Sequence, residues 1–215
     1  MKKEKKRKFI YPNVDIDQES IFHILLEEDR IEHSKFKNQE IVDVHIDHQE
    51  WNTCIFQNVN FVRVDLSSIT LLDVIFDHCD LSNLDFSETT IHRVIFRDCK
   101  LVGTDFSSSS LQDVFFERCM AHYINFSASK IKYMRVSESD FTYGSMNEVE
   151  LKDSEFVNSK LQVMEVMRTP LSGIDLRTCS MEGIRLVGAE LKGAIVTSSQ
   201  AIDLSKLLGI IIQDE

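Results

Sequence analysis

Residues that interrupt regular structure are scarce in this sequence. Its 215 residues include two prolines and seven glycines, which is few for a fold built from long irregular loops. No run of apolar residues reaches the roughly 18 that suggest a membrane-spanning helix. We therefore expect a chain with regular structure along most of its length and no transmembrane segment.

Signals for catalysis and secretion are also missing. There is no glycine-rich phosphate loop, and the serines at 107–110 lie outside any Gly-x-Ser-x-Gly elbow. After the basic start, only Phe9, Ile10 and Tyr11 precede Pro12, too few for the apolar core of a signal peptide. These absences favour a cytoplasmic protein that is not an enzyme and holds no cofactor.

The five cysteines show no pairing or metal-binding pattern. Their number is odd and no CxxC spacing occurs, which argues against a disulfide framework or a structural metal site. Each lies two residues before an apolar position of the repeat described below, where a small inward residue is expected. We predict that they are buried free thiols: Cys54, Cys79, Cys99, Cys119 and Cys179.

What the sequence does contain is a period of five. Every fifth residue from Phe36 to Val196 is apolar, 33 positions in succession, and the register never slips. Five matches neither an α-helix nor a β-strand, so the pattern is a structural repeat. We expect a coil body over residues 31–196 with no loop inserted into it.

A longer period of twenty groups these positions into four series. One series contains Phe56, Phe76, Phe96 and Phe116, and a second contains Phe86, Phe106 and Phe126. Phenylalanine gathers in two of the four series, as a four-sided coil with one pentapeptide on each side predicts. Like rings would then stack at about 4.8 Å, and we expect Phe96 and Phe106 to be buried.

The unit of small, Asp or Asn, Leu or Phe, and two polar residues resembles the pentapeptide-repeat family. That resemblance covers about three quarters of the chain and implies an all-β fold, a right-handed quadrilateral β-helix. With twenty residues per coil, the body would hold roughly eight coils. The terminal segments depart from the repeat and are interpreted separately.

The chain ends are expected to cover the open ends of the coil. Residues 1–8 are a basic run, either a solvated tail or an arm that touches DNA, and residues 9–30 form an N-terminal cap in which Ile16, Ile21 and Leu26 keep the step of five. Residues 197–215 predict a short helix capped by Ser198 or Ser199, a C-terminal Gly209, and a strand over 210–212. The apolar side chains of this segment predict a dimer interface: Leu204, Leu207, Leu208, Ile210, Ile211 and Ile212.

Charge is divided unevenly along the chain, whose formal net charge is −11. Residues 1–8 carry six Lys or Arg and one Glu, which leaves 18 basic and 34 acidic residues in 9–215. An acidic body argues against nucleic acid or an anionic membrane as a direct partner and favours a basic protein surface.

Two columns with acidic residues follow the period of twenty. Asp65, Asp85 and Asp105 form the first. In the second, Asp73, Asp113 and Asp153 alternate with Arg93 and Tyr133. Asp at such turn positions serves either turn chemistry alone or turn chemistry and partner binding. Stacked carboxylates should raise one another's pKa, which a basic partner would relieve. His45 and His48 with Asp43 and Asp47 are either a metal site or solvated surface.

The length of the coil, the Tyr11-Pro12 pair and the ending QAIDLSKLLGIII are similar to the Qnr-type quinolone-resistance proteins, in particular the loop-free kind. The resemblance implies a homodimer joined through its C-terminal segment. It also implies binding to DNA gyrase or topoisomerase IV, with the rod imitating duplex DNA. The alternative is a pentapeptide-repeat scaffold for another partner.

Overall fold

The body of the protein is a solenoid of parallel β-strands, as the repeat predicts. The structure, a computed structural model, describes residues 8–22, 28–46 and 48–213. The strands of the body are β1 (Arg30–Lys37), β2 (Glu40–Val42), β3 (Glu50–Gln57), β4 (Asn60–Val62), β5 (Thr70–Asp77), β6 (Thr90–Arg97), β7 (Ser110–Glu117), β8 (Lys130–Ser137), β9 (Glu150–Lys152) and β10 (Glu155–Val157).

Each coil pairs with the next in a constant register of twenty residues. Phe56 lies opposite Phe76, Phe76 opposite Phe96, and Phe96 opposite Phe116. The other sides of the coil continue this register through single bridges, such as Asp65 to Asp85 and Asp140 to Lys160. No insertion interrupts the register in the paired strands of the described chain, so the expectation of a loop-free body is confirmed.

A residue with left-handed backbone makes nearly every corner of the coil. It stands two places after the buried apolar residue, with φ of 58° at Asn83 and 70° at Gly103. One such residue per pentapeptide turns the chain onto the next side, and its peptide groups bond to the neighbouring coil. The period of five is therefore the length of one side, not the period of a secondary structure.

Stacked aromatic rings fill the core. The ring of Phe96 stacks on Phe76 at 5.1 Å and on Phe116 at 5.0 Å, and it meets Phe106 edge to face at 5.8 Å. Phe96 and Phe106 are fully buried, as predicted. The five cysteines are buried free thiols, also as predicted.

At the N-terminal end of the coil, the predicted register is wrong. Ile21 is 61% exposed, whereas Phe22 is buried and meets the rings of Phe36 and Trp51 edge to face. The bridge from Glu19 to Lys35 spans sixteen residues and not twenty. The spacing at this bridge is four residues shorter than a full coil, and the core position falls on Phe22 instead of Ile21. Leu26 and residues 1–7 lie outside the described residues.

The start of the described chain also lies away from the predicted place. Phe9 and Tyr11 pack against Phe115 in β7, on the outer side of the coil near its middle, and not over its end. From there the chain returns to the N-terminal end, where the backbone N–H of Ser20 donates to the carbonyl of Lys35. We call residues 8–20 the strap. The predicted cap thus consists of a strap along the side and Phe22 over the end.

The C-terminal helix α1 (Ser198–Ser205) forms as predicted, but Thr197 caps it in place of Ser198 or Ser199. The Thr197 hydroxyl accepts from the Gln200 N–H, and the Gln200 side chain accepts from the Thr197 N–H. Short 3-10 turns cover Ala189–Leu191 and Lys206–Leu208, and Gly209 ends the latter with φ of 72°. The predicted strand over 210–212 is not formed. None of the helices in the described chain is long and apolar enough to cross a membrane.

Candidate protein-binding face

The first predicted acidic column is continuous. The backbone of Asp85 forms β-bridges with Asp65 and with Asp105 on the adjacent coils. The three carboxylates therefore repeat at about the 4.8 Å strand spacing. Asp65 and Asp105 are half-buried and Asp85 is exposed. Beyond them the column continues as Asn125, whose Nδ2 donates to Oδ1 of Asp105 at 3.0 Å. The period of twenty thus brings together residues that are far apart in sequence.

One oxygen of each carboxylate holds a turn. Oδ1 accepts the backbone N–H two residues later, at 2.9 Å in Asp65 and 2.8 Å in Asp85 and Asp105. This is the turn chemistry expected of Asp. In the described structure, Oδ2 of Asp85 and of Asp105 accepts no hydrogen bond, and Oδ2 of Asp65 meets His45 Nδ1 at 3.0 Å. The column thus has turn-forming and outward-facing oxygens on the same side chains.

Many other carboxylates along the coil have a cationic partner one coil away. The pairs separated by twenty residues include Arg30–Glu50, Arg63–Asp43, Arg93–Asp73, Lys100–Asp80, Arg118–Asp98, Arg97–Glu117, Arg135–Glu155, Lys160–Asp140, Arg168–Glu148 and Arg185–Glu165. Within the described residues, no Lys or Arg pairs with Asp65, Asp85 or Asp105. The column is therefore a strip of negative charge that the protein does not neutralise with its own lysines or arginines.

The predicted rise of pKa is wrong at Asp65. Partial burial pushes the pKa of this carboxyl upward, but hydrogen bonds from Ser67 and the nearby His45 outweigh burial and hold the pKa below its usual value. Asp65 is therefore ionised at neutral pH, with His45 beside its outward oxygen.

The second predicted acidic column is not a continuous exposed strip. Asp73 is mostly covered and is held by both Nε and Nη2 of Arg93, at 2.6 and 2.5 Å. Asp113 is fully buried and accepts the backbone N–H of Ile10 at 3.1 Å. Asp153 is exposed. The sequence predicted that all three face outward, and this is wrong for Asp113, which the strap covers.

An outward apolar pair was the available signal for the strap. Ile95 and Phe115 stand one residue before the core phenylalanines of β6 and β7, where the side chain faces away from the core. Both are nevertheless buried. Tyr11 stacks on Phe115 at 4.0 Å and Phe9 meets it edge to face at 5.7 Å. Large apolar residues at outward positions on adjacent coils indicate that something covers that side.

The predicted dimer residues divide into two groups. Leu204 is buried against the end of the coil, where Gln200 Nε2 also donates to the carbonyls of Leu176 and Cys179. The others form an exposed apolar patch, which we call the C-terminal patch: Leu207, Ile210, Ile211 and Ile212, joined by Ile202. The side chain of Leu208 lies outside the described part of the structure.

Two of the buried thiols are held in their protonated form. Burial raises the pKa of Cys54 and of Cys119 to about 12, which keeps both protonated at neutral pH. The predicted alternative of a metal at His45 and His48 includes Asp47, which lies outside the described residues. In the structure, His45 contacts Asp65, and Asp43 binds Arg63, so these side chains have protein partners.

Part of the chain matches a known repeat family. The family model described as "Pentapeptide repeat region" matches residues 69–143. A trypsin-treated variant of QnrB1, described as a plasmid-mediated fluoroquinolone resistance protein, is 18% identical with a TM-score of 0.50, covering 84% of this chain and 100% of that one. HetL of the cyanobacterium Nostoc sp. strain PCC 7120, involved in heterocyst differentiation regulation, is 14% identical with a TM-score of 0.34, covering 82% and 94%.

No curated protein sequence matches the chain. At 18% identity the likeness to QnrB1 concerns the fold, and it agrees with the parallel solenoid and the single short C-terminal helix observed here. Residues 69–143 match a pentapeptide repeat region, and the parallel solenoid that contains them has the fold of a pentapeptide-repeat β-helix.

Proposed function

We propose that this protein is a non-enzymatic, DNA-mimicking binder of DNA gyrase or topoisomerase IV that lowers susceptibility to quinolones. The observation that carries the proposal is the column of Asp65, Asp85 and Asp105. Its carboxylates repeat on adjacent coils and lack Lys or Arg partners within the described residues. A regular row of unneutralised anions on a rigid rod fits a groove that normally receives a DNA backbone.

Charge density and dimensions support the proposal. Roughly eight coils at about 4.8 Å make a rod of about 40 Å. Residues 31–196 carry 25 acidic and 16 basic residues. The rod therefore has roughly one net charge per 4.4 Å, within about a factor of three of the one per about 1.7 Å in duplex DNA. The fold shared with QnrB1, described as a fluoroquinolone resistance protein, is consistent with this role.

We further propose that two copies join through the C-terminal patch. An exposed apolar cluster of this kind, beside the open end of a solenoid, is typical of a protein–protein interface. Two rods end to end would span about 80 Å, or roughly 24 base pairs. Replacing Leu207 and Ile211 by Asp should give monomers in sedimentation velocity. Val187→Asp, at an equally exposed apolar residue of the coil, should leave the dimer intact.

The charge pattern of the remaining sides favours a second candidate, a scaffold for a different partner. Paired cations and carboxylates make those sides a patchwork with little net field, as in Arg93 with Asp73 and Arg118 with Asp98. The affinity of a partner that binds such a surface would depend on shape and individual contacts more than on net charge.

The deciding experiment uses purified gyrase in a supercoiling assay, with and without ciprofloxacin. The test variant replaces Asp65, Asp85 and Asp105 by Asn, which retains the turn-forming oxygen and removes the charge. The matched control replaces Asp43, Asp73 and Asp98 by Asn, which changes the net charge equally in carboxylates already bound to arginine.

We expect gyrase binding to weaken steeply as the salt concentration rises. The test variant should lose this binding, and the control should retain it. Equal effects of the two variants would contradict a specific acidic face. Absence of gyrase and topoisomerase IV binding at low salt, together with unchanged quinolone susceptibility on expression, would favour the scaffold.

A further inference from the structure

Two tyrosines stack on one exposed corner of the coil. Tyr123 and Tyr143 occupy the corner position of adjacent coils, and their ring centroids lie 5.1 Å apart with the planes 10° from parallel. Tyr123 is 59% exposed and Tyr143 is 50% exposed. Large aromatic side chains are enriched at the centres of protein interfaces, where they carry much of the binding energy. A stacked pair that is open to solvent on a regular coil therefore indicates a contact site for another molecule.

The ring of Tyr123 has one covered face and one open face. Tyr143 covers the face toward the C-terminal coils, and the next corner in the other direction is Gly103, which has no side chain. One coil further, the corner residue is Asn83, whose Oδ1 lies 2.6 Å from the point at which a Cβ of Gly103 would stand. An amide oxygen therefore borders the space that the glycine leaves. We call this space, bounded by Tyr123, Gly103 and Asn83, the corner gap.

Two carboxylates of the acidic column stand beside the corner gap. Asp105 follows Gly103 by two residues, and Asp85 follows Asn83 by two residues. The Oδ1 atom of each carboxylate holds a turn, whereas in the part of the chain that the structure describes neither Oδ2 atom accepts a hydrogen bond. The open ring face and two outward carboxylate oxygens therefore lie on neighbouring columns of the same coils.

Cations on the adjoining side of the coil do not occupy the gap. Lys100 pairs with Asp80, and both Lys160 and His122 contact Asp140. Within residues 8–22, 28–46 and 48–213, no lysine or arginine lies over the open ring. The gap thus has an aromatic face and negative charge, but no cation from the described chain fills it.

A guanidinium group fits the chemistry of the corner gap. It is flat, it stacks on aromatic faces, and its N–H donors lie in its plane, where they reach acceptors around its edge. The gap offers the ring face of Tyr123 together with the oxygens of Asn83 and Asp105. A lysine ammonium is a strongly hydrated point charge that has no flat face to stack. The carboxylates beside the gap repel the phosphates of a nucleic acid.

We infer that the corner gap binds an arginine side chain on the basic protein surface that the acidic column contacts. This inference rests on the proposed function, because it assigns one further contact of the same partner. The acidic column loses its charge at Asn125 and Ser145, on the coils whose corners carry Tyr123 and Tyr143. Charged contacts along one stretch of the rod are therefore followed by aromatic contacts along the next, and the partner carries an arginine where the two stretches meet.

The test measures binding of two fluorescent peptides, one of six arginines and one of six lysines, to the full chain by anisotropy at low salt. Tyr123→Leu removes the ring and keeps an apolar side chain. Gly103→Asn fills the gap with a residue that tolerates the φ of 70° at this corner. The control is Gly183→Asn, at a glycine of the same corner column that also has φ of 70° but lies three coils from Tyr123. Thermal unfolding verifies that each variant is folded.

The wild type should bind the arginine peptide more tightly than the lysine peptide. Each test variant should lower the affinity for the arginine peptide by about two- to fivefold, the range for one exposed cation–π contact, and should abolish the preference. The control should retain both the affinity and the preference. The inference is overturned if the wild type shows no preference, if the preference survives in either test variant, or if the control loses it as well.

No topoisomerase enters this measurement, so its outcome is separate from that of the gyrase experiment. Gyrase binding through the acidic column without an arginine preference would overturn the inference and leave the proposed function standing. An arginine preference without gyrase binding would support the corner gap and contradict the proposed function. The inference is equally overturned if a single-stranded oligonucleotide binds in a manner that requires Tyr123 and the arginine peptide does not bind.

Discussion

The backbone N–H of Ile10 donates to Oδ1 of Asp113 at 3.1 Å, a contact between residues 103 positions apart. The carboxylate is fully buried, and its other oxygen lies 3.8 Å from Nε2 of His92. A buried carboxylate needs hydrogen-bond donors, and the strap supplies one of them. The N-terminal chain is therefore fastened to the side of the coil on which Asp113 is buried.

Removing the Asp113 acceptor should loosen the strap. We expect Asp113→Ala to lower the free energy of unfolding by about 1.5–3 kcal/mol, the range for hydrogen bonds to charged groups. Hydrogen exchange at the Ile10 amide should accelerate. Asp113→Asn is the control, because it keeps an acceptor oxygen and tolerates the left-handed backbone at this residue. Slow exchange at Ile10 in the Ala variant would show that the ring contacts alone hold the strap.

The phenylalanine stack should dominate stability. Phe96 contacts rings on both adjacent coils and is fully buried, so Phe96→Ala should cost about 3–5 kcal/mol in urea unfolding. Met120→Ala, at a half-exposed side chain, should change stability by no more than about 0.5 kcal/mol. Comparable losses in the two variants would mean that the stack is not the main source of stability.

Acid should destabilise the protein partly through Asp140. Partial burial raises the pKa of this carboxyl, but hydrogen bonds from Thr142, Lys160 and His122 outweigh burial and hold the pKa far below its usual value. A depressed folded-state pKa means that the stabilisation is complete above about pH 4 and is lost as the pH falls further.

The Asp140→Asn variant should therefore lose stability near pH 7 and lose less than the wild type on acidification from pH 4 to pH 2. Urea midpoints measured across pH 2–7 give both curves. Curves that stay parallel through the acid range would remove Asp140 as a source of acid sensitivity.

The fold of the repeat was predictable because each pentapeptide has the same pattern of inward and corner residues. An inward apolar residue such as Phe96 and a corner two residues later determine one side of the coil, and the constant spacing determines the pairing. Residues that differ by twenty in number therefore lie opposite each other on adjacent coils. The acidic column was predictable for the same reason, since Asp65, Asp85 and Asp105 differ by multiples of twenty.

The position of the strap could not be predicted from the repeat period. Phe9 and Tyr11 reach Phe115 through a segment with no repeat, and such docking depends on three-dimensional shape. The burial of Asp113 followed from the strap and was missed with it. The shift from Ile21 to Phe22 has a related origin, because the repeat loses its register where the coil begins.

The corners offer a way to stabilise the protein. Val163 occupies a corner with φ of 55°, a left-handed conformation that is strongly unfavourable for a β-branched residue. Such backbone costs an ordinary residue roughly 1–2 kcal/mol, and Asn tolerates it better. Val163→Asn should raise the free energy of unfolding by about 1 kcal/mol. Val157→Asn is the control, since Val157 ends strand β10 outside the left-handed region and Asn disfavours strands. The urea midpoint should rise in the first variant and fall in the second, and a fall in both would show that the corners do not carry this strain.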